Sequence, residues 1–182
     1  MKSFEIFLVI FAVASASFAQ QTRIEVSSPP SVANDSRPNN NAVPESYAVS
    51  GQFDRILVLR LKYQTDLLAG IESAAKQNGI RNAVILSGIG SVRNYRFHVV
   101  GNRTFPTKNI FVSDSTGPAD IANMNGYIIN GRVHAHIMLS NDKSAFGGHL
   151  ESGTNVFTFA IITVGVLSDS IDISRVDDSN YR

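Results

Sequence analysis

Three of the four histidines of this chain lie in one short segment, and their spacing suits a metal ion. His134 and His136 are two residues apart, and His149 follows later in Gly147-Gly148-His149. On a β-strand, alternate side chains share a face at a rise of ~3.3 Å per residue. His134 and His136 would then lie roughly 6.6 Å apart on one face. A chain reversal that returns His149 over this face would complete three imidazoles with an open position, the ligand count of a catalytic zinc site.

The alternation around the first two histidines predicts which way they point. Both alternate with apolar residues that would face a core: Val133, Ala135, Ile137 and Leu139. Paired glycines before His149 allow a sharp turn and a close backbone approach. We therefore predict a divalent metal site of His134, His136 and His149, with zinc first and copper, nickel or iron as alternatives. The alternative is that two histidines alternate by chance on a solvated face.

The chemistry of such a site would be water activation, because zinc lowers the pKa of its bound water towards ~7. Glu151, two residues after His149, is the candidate catalytic residue, as a general base or as a partner that orients an imidazole. The alternative for Glu151 is a solvated loop carboxylate. His98 has no histidine near it in sequence, and we predict a structural or surface role for it.

Other chemistries find little support. Gly88-Ile89-Gly90 lacks the third glycine of a dinucleotide-binding loop, because Arg93 occupies that position, and a tight strand-to-strand connection explains it more simply. Ser87 lacks the surroundings of a hydrolase nucleophile. The net charge is +1 and the basic residues are scattered, which argues against nucleic acid as a partner. Cysteine is absent, so neither disulfides nor thiolate ligands are available.

The first fifty residues do not have the composition of a folded domain. Residues 1–19 are typical of a signal peptide, with Lys2, an apolar run and Ser17-Phe18-Ala19, and the run is too short to span a bilayer. We expect export to the periplasm or the medium and no stable membrane insertion. Residues 20–50 are polar and proline-rich, which predicts a disordered linker. The folded domain is expected over 51–176 and a flexible tail over 177–182.

Hydrophobic periodicity within that domain predicts one main helix and seven strands. The helix begins at Thr65 or Asp66 and ends at Asn78-Gly79. The predicted strands cover 56–61, 83–86, 95–100, 107–112, 127–129, 132–139 and 155–166. Asn130-Gly131 is the turn of a hairpin, and residues 102–125 are otherwise less regular. The last strand is apolar on both faces, so we expect the helix on one and a partner subunit on the other.

Several motifs occur in an order that resembles the Plants and Prokaryotes Conserved (PPC) domain, a domain of unknown function. They are Asp66-Leu67, Gly79-Ile80, Val84 to Val92, Gly131 to His136, and Gly147-Gly148-His149-Leu150 with Gly153. The resemblance covers about residues 50–174. It implies an α/β fold of the α+β type, with one main helix packed on a mostly antiparallel or mixed sheet, and assembly as a homotrimer. It also implies a metal bound through the H-x-H pair and the later Gly-Gly-His, here His134, His136 and His149.

The chain departs from this family in two ways. It lacks the Arg-Gly-Arg-Pro hook with which plant members bind DNA, and Ile161 occupies the position of a glutamate found in many prokaryotic members. Together with the signal-like residues 1–19, the resemblance predicts an exported trimer with a three-histidine metal site and a small-molecule activity that is not identified. The alternatives are a DNA-binding protein by family analogy and a non-catalytic scaffold.

Overall fold

A computed structural model describes residues 23–28 and 37–177 of the chain. The predicted signal peptide and the last five residues of the predicted tail lie outside these ranges. The elements, in chain order, are β1 (Arg23–Ser28), β2 (Phe53–Lys62), α1 (Leu67–Gln77), β3 (Ala83–Val100), β4 (Asn109–Asp114), β5 (Ala119–Ile129), β6 (Arg132–Ser140), β7 (Ala145–Leu150), β8 (Asn155–Leu167) and a 3-10 turn (Ser174–Asp177). No described helix is both long and apolar enough to cross a membrane.

Strand β3 organises the sheet. Its first half pairs with β5 and β8, and its second half pairs with β4 and β7. Because β5 also pairs with β6 and β6 with β7, the strands β3, β5, β6 and β7 form a closed circuit. β2 extends the sheet beyond β8, and β1 extends it beyond β4. All of these pairings are antiparallel, which confirms the predicted mostly antiparallel sheet with one main helix.

The helix begins and ends where the sequence predicts. Asp66 is the N-cap, and its carboxylate accepts a hydrogen bond from the amide of Ala69 at 2.9 Å. Asn78 is the C-cap, and Gly79 follows with a φ of 62°, the left-handed conformation that glycine tolerates best. The buried side of α1 carries Leu67, Ile71 and Ala75, which belong to the same core as the inner face of the sheet.

The predicted hairpin is also confirmed. Asn130 and Gly131 have φ values of 51° and 78°, as a type I′ turn requires, and they join β5 to β6. The prediction of irregular structure over 102–125 is wrong for the second half of that segment, because β5 begins at Ala119. A bulge between Ile121 and Asn123 moves the buried positions from odd to even residues, which hides the alternation in the sequence.

A single strand replaces the two strands and tight connection predicted over 83–100. β3 runs through Gly88-Ile89-Gly90 without a turn, with register shifts against β8 in this region. Gly90 has a φ of 141°, and a Cβ there would overlap the carbonyl oxygen of Phe159. The glycine therefore permits a close strand approach at a bulge, which is what an isolated glycine in a strand often marks.

The predicted linker over 20–50 contains a strand, so that prediction is wrong for Arg23–Ser28. β1 pairs antiparallel with the edge of β4, and the guanidinium of Arg23 lies 5.7 Å from the ring centre of Phe146. Ile24 and Val26 remain exposed. The strand is held by backbone pairing rather than apolar burial, which is why its composition gave little sign of it.

The two faces of β8 differ in burial. Val156, Ala160 and Ile162 are fully buried in the core that α1 shares. The opposite side of β2, β8 and β3 is open in the single chain, and we call it the outer face. Its apolar members are Ile56, Val58, Ile89, Phe159 and Ile161, which the strand register places side by side. Val58 is 66% exposed and Ile89 is 53% exposed.

Candidate metal site

Strand register brings the histidines together. His149 on β7 is the cross-strand partner of His136 on β6 and also of His98 on β3. Directly paired residues in a sheet share a face, so these three imidazoles form a row across β6, β7 and β3. The ring centre of His149 lies 5.5 Å from that of His136 and 4.5 Å from that of His98. His134 joins the row, with its ring centre 4.7 Å from that of His149.

The three predicted ligands form a group that can hold a metal ion. One nitrogen from each of His134, His136 and His149 lies within 4.8 Å of the others. Zinc binds imidazole nitrogen at ~2.0–2.1 Å in a tetrahedral arrangement, so small side-chain rotations would bring the three onto one ion. His136 is exposed, whereas His134 and His149 are half-buried. The donor set therefore fits a divalent transition metal with an open side.

Two carboxylates flank the row. Nδ1 of His134 lies 2.6 Å from Oδ2 of Asp177, and Nδ1 of His98 lies 2.6 Å from Oε1 of Glu151. An ionised carboxylate only accepts hydrogen bonds, so Nδ1 is the donor in each contact. In the neutral form of the ring this leaves the lone pair on Nε2. A carboxylate behind a ligating imidazole is the usual way in which proteins fix its tautomer and direction.

Two sequence predictions need correction here, those for His98 and Asp177, and two further contacts involve residues whose surroundings the sequence left open. His98 is part of the histidine row and not an isolated structural residue, because β3 pairs with β7. Asp177 ends the 3-10 turn and contacts His134, although it was assigned to a flexible tail. The hydroxyl of Tyr47 donates to the carbonyl of Arg175 at 2.7 Å and links residues of the predicted linker to this turn. Glu151 is bonded to His98 rather than being a free loop carboxylate.

The electrostatics at His149 and His136 favour neutral imidazoles. Burial, followed by the charges of His98, His134 and His136, lowers the pKa of His149 to about 4. Burial and then the charge of His134 also lower the pKa of His136. Neutral imidazole is the form that binds metal, so both side chains are ready to act as ligands at neutral pH.

A cavity of about 820 Å³ opens beside the histidines. The four imidazoles line it together with Glu151 and Arg132. Its size lies within the range of small-molecule pockets. The histidine row therefore faces a space that can admit a ligand of modest size.

The glycines before His149 let β7 pass between two strands. A Cβ on Gly147 would overlap the carbonyl oxygen of Ile137 on β6, and one on Gly148 would overlap that of His98 on β3.

We expect Gly147→Ala to lower the free energy of unfolding by roughly 3 kcal/mol, because two backbones must separate. Gly79→Ala is the control, since nothing lies within 4 Å of its Cβ and only its left-handed φ is strained, at a cost of about 1 kcal/mol. Urea unfolding measures both, and equal losses would contradict this role of Gly147.

Asp177 is expected to support metal binding through His134. In Asp177→Asn the amide holds the imidazole less firmly and no longer favours the donor Nδ1, so the Kd for Zn²⁺ should rise about 10-fold. Asp169→Asn removes the same charge from an exposed turn and should leave the Kd unchanged. Competition with a chromophoric chelator measures both values. An unchanged Kd in Asp177→Asn would show that the contact with His134 does not matter for the metal.

Comparison with known proteins identifies the family of this chain. Residues 48–168 match the model of the Plants and Prokaryotes Conserved (PCC) domain, the domain abbreviated PPC above. A metal-containing protein from Archaeoglobus fulgidus is 27% identical, with a TM-score of 0.55 over 68% of this chain and 86% of that one. A plant- and prokaryote-conserved (PPC) protein from Pyrococcus horikoshii is 25% identical, with a TM-score of 0.56 over 70% of this chain and 89% of that one. No curated protein matches the chain significantly.

A more distant structure carries a different name. It is a candidate DNA-binding protein from Bacteroides thetaiotaomicron, 20% identical, with a TM-score of 0.53 over 68% of this chain and 85% of that one. At this identity the likeness shows the fold alone. The domain match spans most of the chain and agrees with the order of motifs in the sequence. The chain therefore belongs to the Plants and Prokaryotes Conserved (PCC) domain family.

Proposed function

We propose that this protein is an exported, trimeric metal-binding protein. It holds a divalent transition metal, with zinc as the first candidate, and it acts on or binds a small molecule beside that metal. The ligands are His134, His136 and His149. The observation that carries the proposal is that nitrogens of these three side chains lie within 4.8 Å of one another. The 27% identical metal-containing protein from Archaeoglobus fulgidus supports it.

The residues around the ligands suit this function. Asp177 accepts from Nδ1 of His134 and so directs Nε2 away from the carboxylate as the nitrogen left for a metal. Glu151 accepts a hydrogen bond from Nδ1 of His98 and so orients this imidazole at the cavity wall. Zinc, when bound, would supply a Lewis acid and an activated water. Glu151 remains the candidate catalytic residue, acting through His98.

Self-association is the second part of the proposal. The outer face exposes Ile56, Val58, Ile89 and Phe159, and soluble proteins seldom leave so many apolar side chains of one sheet face uncovered. A second and third copy of the chain would cover it, as the family resemblance implies for a homotrimer.

Export is proposed from the signal-like residues 1–19. N-terminal sequencing of secreted protein tests export, with Gln20 as the expected first residue and an intact Met1 as the contrary result.

Titration of the metal-free protein with Co²⁺ tests the metal site. We expect visible absorption bands typical of tetrahedral nitrogen coordination that saturate at about one equivalent per chain. Zn²⁺ should displace the Co²⁺ and remove the bands. A titration in which the absorption does not change would contradict the proposal.

DNA binding is the alternative function. The name of the Bacteroides relative favours it, so that comparison does not support our expectation that nucleic acid is not a partner. The net charge of +1 and the scattered basic residues argue against it. Tight binding to duplex DNA that weakens steeply with salt would favour this alternative. A non-catalytic scaffold would instead form trimers that persist without metal and bind no small molecule.

A further inference from the structure

The histidine row contains a second set of metal-binding atoms. One ligand atom from each of His98, His149 and Glu151 lies within 4.8 Å of the others, and all three residues are half-buried. His98 and His149 are cross-strand partners on β3 and β7, with ring centres 4.5 Å apart. Glu151 follows the end of β7 and contacts His98 at 2.6 Å. These residues share only His149 with the three ligands proposed above.

This second set has a suitable composition for a metal. Two imidazole nitrogens and one carboxylate oxygen form a ligand set that zinc uses in catalytic sites, with the remaining position left open. The backbone holds the set firmly, because Leu150 pairs with Phe97 next to the pairing of His149 with His98.

His149 limits how the two sets can be used. A neutral imidazole carries a hydrogen on one nitrogen and has one lone pair free for a ligand. His149 can therefore bind one ion at a time, either with His134 and His136 or with His98 and Glu151. Because both sets lie on one side of the sheet and line the same cavity, an ion need not leave the cavity to change position.

Building on the proposed function, we propose that His98, His149 and Glu151 form a second position for the same class of divalent transition metal, occupied in exchange with the first position through the shared ligand His149. There the ion would bind Nδ1 of His98 in place of the hydrogen that Glu151 accepts, and the ring would carry its hydrogen on Nε2 instead. The capacity of the pocket is then one ion per chain, although two ligand sets are available. An ion that loses His134 or His136 keeps a place in the cavity. The proposal adds His98 and Glu151 to the metal-binding residues of the chain.

The double variant His134→Ala/His136→Ala in the full chain tests this inference. Titrated with Co²⁺ as metal-free protein, it should still bind about one equivalent, with visible bands shifted from those of the wild type because a carboxylate replaces imidazole. Adding Glu151→Gln to the double variant should abolish this binding. Adding Glu45→Gln, which alters an exposed carboxylate outside the row, should leave it intact. If the double variant folds poorly by circular dichroism, His136→Ala alone serves, since His136 is exposed.

The outcomes separate this inference from the proposed function. Binding by the wild type but not by the double variant or His136→Ala would overturn the second position and leave the first intact. Unshifted bands in the double variant, lost on Glu151→Gln, would keep the second position and contradict the first. Two equivalents in the wild type would overturn the exchange through His149.

Discussion

Loss of metal binding is the expected result of His149→Ala, with the Kd for Zn²⁺ rising by more than about 100-fold. His149 belongs to both groups of ligand atoms, so neither group keeps three ligands without it. Removal of a residue that merely supports a ligand typically weakens affinity 10- to 100-fold, and removal of a shared ligand should exceed that range. Isothermal titration of metal-free protein measures the effect.

His98→Ala is the matched control for this variant. It removes a half-buried imidazole from the same row, on the strand that pairs with β7, but leaves His134, His136 and His149 in place. We expect His98→Ala to bind about one equivalent of Zn²⁺ with a Kd close to that of the wild type. Wild-type affinity in His149→Ala would contradict the histidine site, whatever His98→Ala shows.

Dissociation into monomers is the expected result of Val58→Asp on the outer face. Val58 is 66% exposed in the single chain, so an aspartate there should change the stability of a monomer by less than about 0.5 kcal/mol. In a subunit interface the same carboxylate would be buried without a partner, at a cost of several kcal/mol. Light scattering on a sizing column would then report monomers for the variant and trimers for the wild type.

Val100→Asp controls for the charge itself. Val100 is 67% exposed, and it lies at the end of β3 that does not pair with β8. The variant therefore places the same charge at a similar exposure, but outside the outer face. This variant should remain trimeric. A monomeric wild type, or a trimeric Val58→Asp, would show that the outer face does not bind another copy of the chain.

Local signals in the sequence predicted the elements that depend on a few adjacent residues. Asp66 and Asn78-Gly79 marked the ends of the helix because caps act within one turn. Asn130-Gly131 marked the hairpin because both residues adopt left-handed φ values. His134 and His136 were placed on one face of β6 by simple alternation. The approach of His149 followed from the glycines that allow it.

Non-local pairing is what the sequence did not predict. His98 and His149 are 51 residues apart along the chain, and it is the pairing of β3 with β7 that brings them together. Asp177 reaches His134 through a turn after β8 whose composition resembles that of a flexible tail. Bulges in β3 and β5 broke the alternation on which strand prediction depends. These features arise from the closed circuit of strands, which no short window of sequence contains.

The metal content of the full chain tests the central claim most directly. Purified protein is reconstituted with zinc, freed of unbound ion by gel filtration, and analysed by inductively coupled plasma mass spectrometry against its protein concentration. We predict about one zinc ion per chain, held by the nitrogens of His134, His136 and His149 that lie within 4.8 Å of one another. Protein that retains no zinc after this treatment would contradict the account.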